Sequence, residues 1–322
     1  MHTIAIIGAG QLGSRHLQGL KTSQIKMKIE IVDTSEESLT VARERYEQLA
    51  ENSHVSEIRF LKSINELSEE LDLVIIATGA APRYTITKEL IKQKKVKNIL
   101  FEKILFQKIE DYIDIEELLT KNHIHSWVNC PRRMYGFYNE LKERFSDSKQ
   151  LIFNVSGGDW GLGCNSIHFI DCLAFLSGTK QFTINTSALD RATYASKRAG
   201  YIEFSGVLSA VSERGDVLSL ISQRDANMAP IITIQSNKFS VLIDETNRLL
   251  HSLENGKWET KGIQVQYQSQ LTGIAAEQIL LHGTSQLTAF AESKSFHLAF
   301  IGPLLEFYNE INGIDSIICP IT

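Results

Sequence analysis

The first hundred residues carry short, continuous apolar runs separated by stretches with helical periodicity. Residues 3–7 and 71–77 are apolar without alternating polar positions, a pattern typical of strands covered on both faces. Residues 36–50 place Leu39 and Ala42 at helical spacing, which predicts a helix between two such strands. Strands that alternate with helices indicate a parallel sheet. Further strands are predicted over 28–32, 58–61 and 96–101, and helices over 14–20, 64–70, 84–93 and 109–121.

The pattern changes near residue 150, where segments with alternating apolar and polar positions begin. Short turns such as Arg214-Gly215-Asp216 and Glu254-Asn255-Gly256 interrupt these segments, as hairpin turns do. This half predicts an open, mostly antiparallel sheet with helices on one face. Its predicted strands cover 150–155, 182–189, 201–212, 216–223, 231–235 and 239–244, and its predicted helices cover 165–176, 272–291 and 296–309.

The two patterns together predict an α/β fold of two domains. We expect an N-terminal Rossmann doubly wound parallel sheet over residues 1–122, and a C-terminal α+β domain with an open, mostly antiparallel sheet over residues 123–322. The last helix is a candidate to pack back on the first domain. An open sheet with an uncovered face tends to be buried against another copy, so we expect a homodimer or homotetramer through the C-terminal sheet.

Composition narrows the class of protein without indicating an activity. The 322 residues include 33 Lys and Arg against 38 Asp and Glu, which gives a formal net charge of −5. Because nucleic-acid binding normally requires a basic face or arm, no nucleic-acid partner is expected. No apolar stretch approaches the roughly 20 residues of a membrane span, and no signal-peptide pattern is visible. We therefore expect a cytoplasmic protein that has no membrane partner and acts on a small molecule.

The four cysteines have no metal-site spacing. Cys130, Cys164, Cys172 and Cys319 form no CxxC pair, which indicates reduced thiols. Cys164 and Cys172 flank His168 at four residues on either side. Two interpretations are open: a metal site, or cysteines that are simply buried on the helix. We prefer the second, because it is the commoner case, and therefore expect no metal.

Residues 8–13 have the sequence Gly-Ala-Gly-Gln-Leu-Gly, a GxGxxG pattern between a predicted strand and a predicted helix. In that context the pattern predicts a dinucleotide site, because the glycines allow a tight turn, an approach to pyrophosphate and close helix packing. The helix N-terminus adds N–H donors and partial positive charge. The alternative is a glycine-rich turn without a ligand. The residues predicted to bind the cofactor here are Gly8, Gly10, Gln11, Leu12 and Gly13.

Asp33 ends the second predicted strand, 20 residues after Gly13. A carboxylate there would accept hydrogen bonds from the ribose hydroxyls and repel the 2′-phosphate of NADP. Thr34 and Ser35 offer no cation for such a phosphate. We therefore expect NAD, rather than NADP, as the cofactor.

Over nearly its whole length the chain resembles the glucose-fructose oxidoreductase, inositol dehydrogenase and MocA (Gfo/Idh/MocA) family. The glycine pattern, Ile75-Ile76-Ala77-Thr78, Phe101-Glu102-Lys103, His168-Phe169-Ile170-Asp171 and residues 304–309 carry the resemblance. It implies a Rossmann domain followed by an α/β domain with an open sheet. It also implies that Thr78, Gly79, Glu102 and Lys103 belong to the cofactor site.

Lys103 and His168 are the predicted catalytic residues. Lys103 follows a predicted parallel strand at its carboxyl end, where open α/β sheets bind ligands, and its ammonium would stabilise a developing alkoxide. His168 is a suitable proton acceptor. The alternatives are a solvated lysine and a histidine that caps or packs in its helix. The resemblance favours the catalytic roles for both.

The chain departs from the family pattern at three positions. Ile104 replaces the proline after the lysine, which removes a ring that would stiffen the loop. Cys164 replaces the aspartate four residues before His168, and a mostly neutral thiol is no charge partner for an imidazolium. We expect Asn165 to cap the helix, and Asp171 is a candidate to orient the His168 ring. Arg83 replaces a histidine, and we expect it in a surface ion pair.

The candidate substrate residues suit a sugar. An indole ring stacks on the C–H face of a sugar while polar side chains bind its hydroxyl groups, and arginines would hold a carboxylate or phosphate. The alternative is a hydrophobic plug at the tryptophan and ion pairs at the arginines. The candidates are Asn129, Arg132, Arg133, Tyr135, Asp159, Trp160, Asn165 and His168. The predicted substrate residues among them are Asn129, Arg133, Trp160, Asn165 and His168.

These features predict an NAD-dependent oxidoreductase. It would transfer a hydride between nicotinamide and a secondary alcohol or ketone of a sugar, a sugar derivative such as a nucleotide-linked sugar, or a cyclitol. The lost aspartate and proline motivate a second hypothesis, a dinucleotide-binding sensor or scaffold of the same fold without turnover.

Overall fold

The computed structural model describes residues 1–322. Its strands are β1 (His2–Ile7), β2 (Met27–Val32), β3 (Val55–Leu61), β4 (Glu70–Leu71), β5 (Leu73–Ile76), β6 (Lys95–Val96), β7 (Asn98–Phe101), β8 (His125–Val128), β9 (Ile152–Gly158), β10 (Phe182–Ala195), β11 (Ile202–Ser212), β12 (Val217–Gln223), β13 (Ile231–Gln235), β14 (Phe239–Asp244), β15 (Leu249–Glu254), β16 (Lys257–Gly262) and β17 (Thr288–Ala289). Its helices are α1 (Gln11–Lys21), α2 (Glu36–Glu47), α3 (Ala80–Gln93), α4 (Ile109–Lys121), α5 (Gly136–Phe145), α6 (Leu162–Ser177), α7 (Gln268–His282) and α8 (Phe290–Asn312), with 3₁₀ turns at Ile64–Glu66 and Pro131–Met134.

The chain forms two compact units, and each is built from separate stretches of sequence. The first unit contains Met1–Phe106, Glu110–Pro131 and Gln266–Ala291. The second contains Gln107–Ile109, Arg132–Val265 and Glu292–Thr322. No helix of the chain has both the length and the apolar character needed to cross a membrane.

The first unit is organised around a seven-stranded sheet in the order β17-β8-β7-β5-β1-β2-β3. All pairs are parallel except β17 with β8. All four residues of β5 are buried, because helices cover both faces of such a sheet. Strand order reverses at β1, whose neighbours are β2 and β5. In open α/β sheets, ligands bind at the carboxyl ends of the strands beside such a switch point.

The second unit contains an eight-stranded sheet in the order β10-β11-β12-β9-β13-β14-β15-β16. Its pairs are antiparallel except β12 with β9. Helix α6 lies against β11 and β12, and most of its residues are buried. The predicted fold class, a Rossmann sheet followed by a mostly antiparallel α+β half, is confirmed.

Some predicted helices differ from the structure in their bounds or type. The helix expected over 272–291 ends at His282, because Gly283 adopts a left-handed φ of +67° as its C-cap. A strand and a new helix follow it. The helix expected over 64–70 is only a 3₁₀ turn. β8 and α5 had no prediction.

Candidate functional site

The turn between β1 and α1 is so close that two of its glycines leave no room for a side chain. Gly8 has a φ of +100°, and a Cβ built on it would lie 2.9 Å from the Thr78 nitrogen. A Cβ on Gly13 would lie 1.7 Å from the Gly8 carbonyl oxygen. Helix α1 therefore starts directly against the end of β1, an approach that only glycine permits.

Gly10, in contrast, faces open space. No atom lies within 4 Å of a Cβ built on Gly10, and no side chain caps α1, which starts at the next residue. Because the first N–H groups of a helix have no partner within the helix, the backbone at Gln11 and Leu12 presents donors and the positive end of the helix dipole. This arrangement fits a pyrophosphate.

Asp33 follows β2, and backbone groups fix its carboxylate beside the glycine turn. Oδ2 accepts a hydrogen bond from the Ala9 N–H at 2.7 Å, and Oδ1 accepts one from the Ser35 N–H at 2.9 Å. The side chain is half-buried, and each oxygen keeps further acceptor capacity. The carboxylate is therefore oriented before any ligand arrives, as a ribose acceptor must be.

Thr78 Oγ1 and Asn129 Oδ1 are among the buried polar atoms of the chain that have no hydrogen-bond partner. Thr78 follows β5 and Asn129 follows β8, so both lie at the carboxyl edge of the parallel sheet. Gly79 precedes α3, which no side chain caps. Because buried polar atoms are almost always paired, these groups fit a ligand at this edge. Together with Asp33 and the glycine turn, they form a set of donors and acceptors that suits a dinucleotide.

Glu102, next to Lys103, lies in a buried hydrogen-bond network. Its Oε1 lies 2.8 Å from His16 Nε2 and accepts from Asn129 Nδ2 at 2.5 Å. His16 Nδ1 lies 2.9 Å from Thr272 Oγ1. Burial by itself would raise the pKa of Glu102, but the bonds from His16 and Asn129 and the charge of Lys103 hold that pKa below its usual value. The network fixes the main chain from which Lys103 extends.

Lys103 is half-buried, and the segment after it is anchored in the interior. Ile104, Leu105 and Phe106 are each 0% exposed. The Tyr112 hydroxyl donates to the Phe106 carbonyl at 2.8 Å and accepts from the Phe106 N–H at 3.2 Å. The missing proline was expected to leave this loop without stiffening. Buried side chains and hydrogen bonds supply that restraint instead.

The expectation of a surface ion pair for Arg83 is wrong. Arg83 is 0% exposed, and its guanidinium donates to the carbonyl oxygens of Thr78, Ile104 and Leu105, the last at 3.0 Å. A guanidinium carries five N–H donors in a fixed fork, and main-chain carbonyls accept from both of its Nη groups in the interior. The side chain thereby joins the segments that follow β5 and β7.

In the second unit, a carboxylate from another element binds the N-terminus of α6. Glu203 of β11 is 4% exposed, and its Oε2 accepts from the Gly163 N–H at 2.6 Å, with the Cys164 N–H at 3.3 Å. Asn165 was expected to cap this helix. It lies in the first turn instead and donates through Nδ2 to the Trp160 carbonyl at 2.7 Å, because the helix already begins at Leu162.

Asp171 and Arg133 are paired in the interior of the second unit. Asp171 is 1% exposed, and its two oxygens accept from Arg133 Nε and Nη2 at 2.9 and 3.0 Å. Arg133 also donates to Glu292 at 2.8 Å. Burial opposes the charge of Arg133, but the two carboxylates raise its pKa above the usual value. Arg133 therefore lies in a buried ion-pair network, and its role as a substrate residue stays a prediction.

A cavity of about 390 Å³ in the second unit brings several of the expected substrate residues together. The Trp160 indole lies at its wall, where Nε1 donates to the Ile221 carbonyl at 2.7 Å. The Arg224 guanidinium stacks on the Tyr194 ring, 3.8 Å from its centroid. Burial, with the nearby Glu203 and Asp159, raises the pKa of Tyr194 to about 12, so its phenol stays protonated. The lining residues are Asp159, Trp160, Gly161, Cys164, Asn165, Tyr194, Ala195, Ser196, Lys197, Glu203 and Arg224.

The remaining expected residues lie elsewhere. Asn129 belongs to the Glu102 network of the first unit, where it also donates to Gln268 at 2.7 Å. His168 is half-buried on α6, one helical turn after Cys164. Cys172 is buried, and burial raises the pKa of its thiol well above the usual value. Of the cysteines that flank His168, only Cys164 therefore lines the cavity.

Sequence reasoning missed Glu203, Tyr194, Arg224 and His16. Glu203 is a buried carboxylate of β11, but residues 203–205 are all buried without alternation, so its burial follows from the fold and not from the sequence pattern. His16 is a polar residue on the buried face of α1, beside Leu17 and Leu20. Tyr194 and Arg224 lie at strand ends, where no local pattern distinguishes them from surface residues.

Comparison with known proteins agrees with this geometry. Residues 2–130 match the model of an oxidoreductase family with an NAD-binding Rossmann fold. Solved structures extend the similarity to nearly the whole chain. The chain has the fold of the Gfo/Idh/MocA oxidoreductases. The predicted resemblance to this family is thereby confirmed.

Three solved structures illustrate the range of this Gfo/Idh/MocA fold. An oxidoreductase from Agrobacterium radiobacter, in complex with NAD+, L-tartaric acid and magnesium, has a TM-score of 0.71 at 14% identity, with 93% of this chain and 94% of that chain covered. UDP-N-acetylglucosamine 3-dehydrogenase GnnA from Acidithiobacillus ferrooxidans has a TM-score of 0.70 at 17% identity, covering 94% and 96%. A super-repressor mutant of Gal80p from Saccharomyces cerevisiae has a TM-score of 0.70 at 12% identity, covering 94% and 95%. No curated protein sequence matches this chain.

Proposed function

We propose that the protein is an NAD-dependent oxidoreductase that acts on a secondary alcohol or ketone of a sugar, a sugar derivative or a cyclitol. The hydrogen bond between Asp33 and the Ala9 N–H carries this proposal. It places an oriented carboxylate beside a glycine turn whose helix N-terminus has no side-chain cap. Such a pairing supports a dinucleotide as the ligand of the first unit.

NAD is the proposed cofactor, rather than NADP, because Asp33 is a fixed negative charge. Its carboxylate accepts hydrogen bonds from hydroxyl groups and repels a 2′-phosphate. Lys62, at the end of the neighbouring strand, is paired with the Glu36 carboxylate at 2.5 Å. The Glu36 carboxylate therefore competes with an extra phosphate for the Lys62 ammonium.

Lys103 and His168 are the proposed catalytic residues. When bound, the nicotinamide supplies the carbon that accepts or returns the hydride. The Lys103 ammonium donates a hydrogen bond to the substrate oxygen and stabilises the negative charge that develops when the hydride leaves the carbon. His168 accepts the hydroxyl proton in the oxidation and returns it in the reduction. Hydride and proton together account for the two electrons and two hydrogen atoms removed from the alcohol.

The cavity in the second unit supports a sugar-like substrate. Trp160 is fixed by its bond to the Ile221 carbonyl, so its ring offers a rigid surface for the C–H face of a sugar. Asn165, Ser196 and Glu203 add polar groups that suit hydroxyls. The UDP-N-acetylglucosamine dehydrogenase of the same fold makes nucleotide-linked sugars part of the proposed class.

Two measurements test this function. NADH and NADPH affinities are determined by fluorescence titration, and a panel of sugars, sugar acids, nucleotide sugars and cyclitols is then followed at the NADH absorbance. We expect tighter binding of NADH and turnover of at least one member of the panel. Lys103→Met and His168→Ala should lower kcat by about 100-fold or more, while both variants still bind NADH. Turnover at the wild-type rate by both variants would refute the assigned roles.

A dinucleotide-dependent sensor or scaffold is the second candidate function. Cys164 motivates it, because a thiol stands where the family places an acid. A super-repressor mutant of Gal80p has the same fold. Tight NADH binding without turnover of any compound in a broad panel would favour this function over the enzyme.

We also propose that the protein forms a homodimer or homotetramer through the sheet of the second unit. Val211, Val217 and Ile152 occupy directly paired positions on the neighbouring strands β11, β12 and β9. Val211 is 49% exposed and Ile152 is 40% exposed. A row of apolar side chains across a sheet face suits burial against a second copy.

A further inference from the structure

The buried Arg83 guanidinium binds main-chain carbonyls of two segments, and the proposed function gives this contact no role. It donates to Thr78, in the segment between β5 and α3, and to Ile104 and Leu105, in the segment between β7 and α4. The first segment contains Thr78 and Gly79, which belong to the expected cofactor site. The second begins with Lys103. One side chain therefore joins the cofactor side of the proposed site to its catalytic lysine.

Packing alone does not explain an arginine at this position. A buried guanidinium loses its hydration, and that loss is costly unless its donors find partners. An apolar side chain of similar length would fill the same space without this cost. The specific property of arginine is its rigid fork of donors, which fixes the spacing of the groups that accept from it.

The other hydrogen bonds that restrain the lysine segment lie on either side of residues 103–105. The Tyr112 hydroxyl binds both main-chain groups of Phe106, and the network of Glu102 precedes Lys103. Ile104 and Leu105 lie between these two anchors, and their carbonyls are the ones that Arg83 holds. Loss of the guanidinium would therefore remove the side-chain hydrogen bonds to the main chain directly after Lys103 and leave both anchors in place.

We infer that Arg83 is a positioning residue that sets the Lys103 ammonium relative to the segment at Thr78. Arg83 performs through hydrogen bonds the restraint that a proline would supply after the lysine. This inference rests on the proposed function for its catalytic consequence. Its structural part, the restraint of residues 103–105 by Arg83, stands independently of any activity.

The test compares Arg83→Met and Arg83→Lys with wild type by amide hydrogen exchange and by steady-state kinetics. Methionine keeps the length of the side chain but has no hydrogen-bond donor. Lysine keeps the positive charge, but its ammonium is a point charge and does not reproduce the planar set of donors of the guanidinium. We expect exchange in peptides that cover 101–108 and 76–80 to accelerate about tenfold in Arg83→Met, the scale of one lost charged hydrogen bond. kcat should fall by about 100-fold, the scale of a misplaced catalytic group, while KM and the NADH Kd change by less than about twofold.

Lys94→Met is the matched control, because Lys94 is also a buried cation that holds loop carbonyls in the first unit. Its Nζ donates to the carbonyls of Asn65 and Leu67 at 3.2 and 2.8 Å. We expect this control to lower Tm without changing kcat or the exchange of peptide 101–108. Arg83→Gln replaces Arg83→Met if the latter does not fold.

The outcomes separate the inference from the proposed function. Equal exchange of peptide 101–108 in wild type and Arg83→Met overturns the inference, whether or not the protein turns over a substrate. Wild-type kinetics in Arg83→Lys would overturn it too, because charge alone would then suffice. If no substrate reacts with the wild-type protein, the proposed function fails, and the exchange result still decides whether Arg83 restrains the segment.

Discussion

The Glu203 carboxylate accepts a hydrogen bond from the main-chain N–H of Cys164, in the first turn of α6. Glu203 comes from β11 and reaches the first turn of α6 across 39 residues of sequence. The turn therefore holds a buried carboxylate although its own side chain at this position is a thiol. The charge complements the positive end of the α6 dipole.

Replacing Glu203 tests this contact. We expect Glu203→Gln to lower the free energy of unfolding by about 1–3 kcal/mol, because neutral acceptors bind helix N–H groups more weakly than a carboxylate does. Urea unfolding at neutral pH measures the change. Glu259→Gln, on the exposed strand β16, is the control and should change stability by less than about 0.5 kcal/mol. An equal effect of both substitutions would contradict the capping role.

Alanine at the two ends of the glycine pattern should have opposite consequences. Gly13→Ala places a Cβ 1.7 Å from the Gly8 oxygen, so we expect a loss of stability of about 3 kcal/mol or more. Gly10→Ala meets nothing within 4 Å and should leave stability within about 0.5 kcal/mol, while it weakens NADH binding by occupying the pyrophosphate approach. Thermal unfolding and NADH titration distinguish the two. Unchanged NADH affinity in Gly10→Ala would argue against a dinucleotide at this turn.

The charge of Asp33 should decide between the two nicotinamide cofactors. Asp33→Asn keeps an acceptor for the Ala9 N–H and removes the negative charge. We expect the ratio of the NADPH Kd to the NADH Kd to fall by about tenfold or more, the scale of one charged hydrogen bond. Ser35→Ala, which retains the N–H that Asp33 binds, should leave the ratio unchanged. A constant ratio in Asp33→Asn would remove Asp33 from the cofactor site.

Glu102 predicts a pH dependence of stability in the acid range. Its pKa is lower in the folded protein than in the unfolded chain, so the unfolded chain binds the proton more tightly. The stabilisation is therefore fully present above the usual carboxyl pKa and is lost as the pH falls through the lowered one. The stability difference between wild type and Glu102→Gln should shrink on acidification. Urea unfolding of wild type and Glu102→Gln from neutral to acid pH measures this difference, and parallel curves for the two proteins would contradict the prediction.

A charge placed in the apolar row of Val211, Val217 and Ile152 should disrupt the proposed assembly. Val217 pairs with both of the others, so Val217→Lys places an ammonium at the centre of the apolar row. We expect this variant to be monomeric in light scattering coupled to size exclusion, at concentrations where wild type is a dimer or tetramer. Ser187→Lys, on the edge strand β10, should leave the assembly unchanged. A wild-type monomer would remove the proposed interface.

The Rossmann half was predictable because its core strands are continuous apolar runs, as at residues 71–77, where β5 lies. β8 escaped prediction because His125 and Ser126 break any apolar run. Arg83 was misplaced because charge usually indicates the surface, and only the fold shows three carbonyls converging on one guanidinium. Glu203 and Cys164 are far apart in sequence, so local periodicity carries no information about their contact.

The first unit is built from segments that lie far apart in the sequence, which affects how it folds during synthesis. The His16 network needs Thr272, and the sheet edge needs β17, yet both belong to Gln266–Ala291. The ribosome therefore synthesises the second unit's 132–265 segment before the first unit has all of its parts. A fragment that stops near residue 130 would expose β8 and leave His16 without Thr272. During synthesis, folding of the first unit therefore cannot be complete until the chain has passed residue 291.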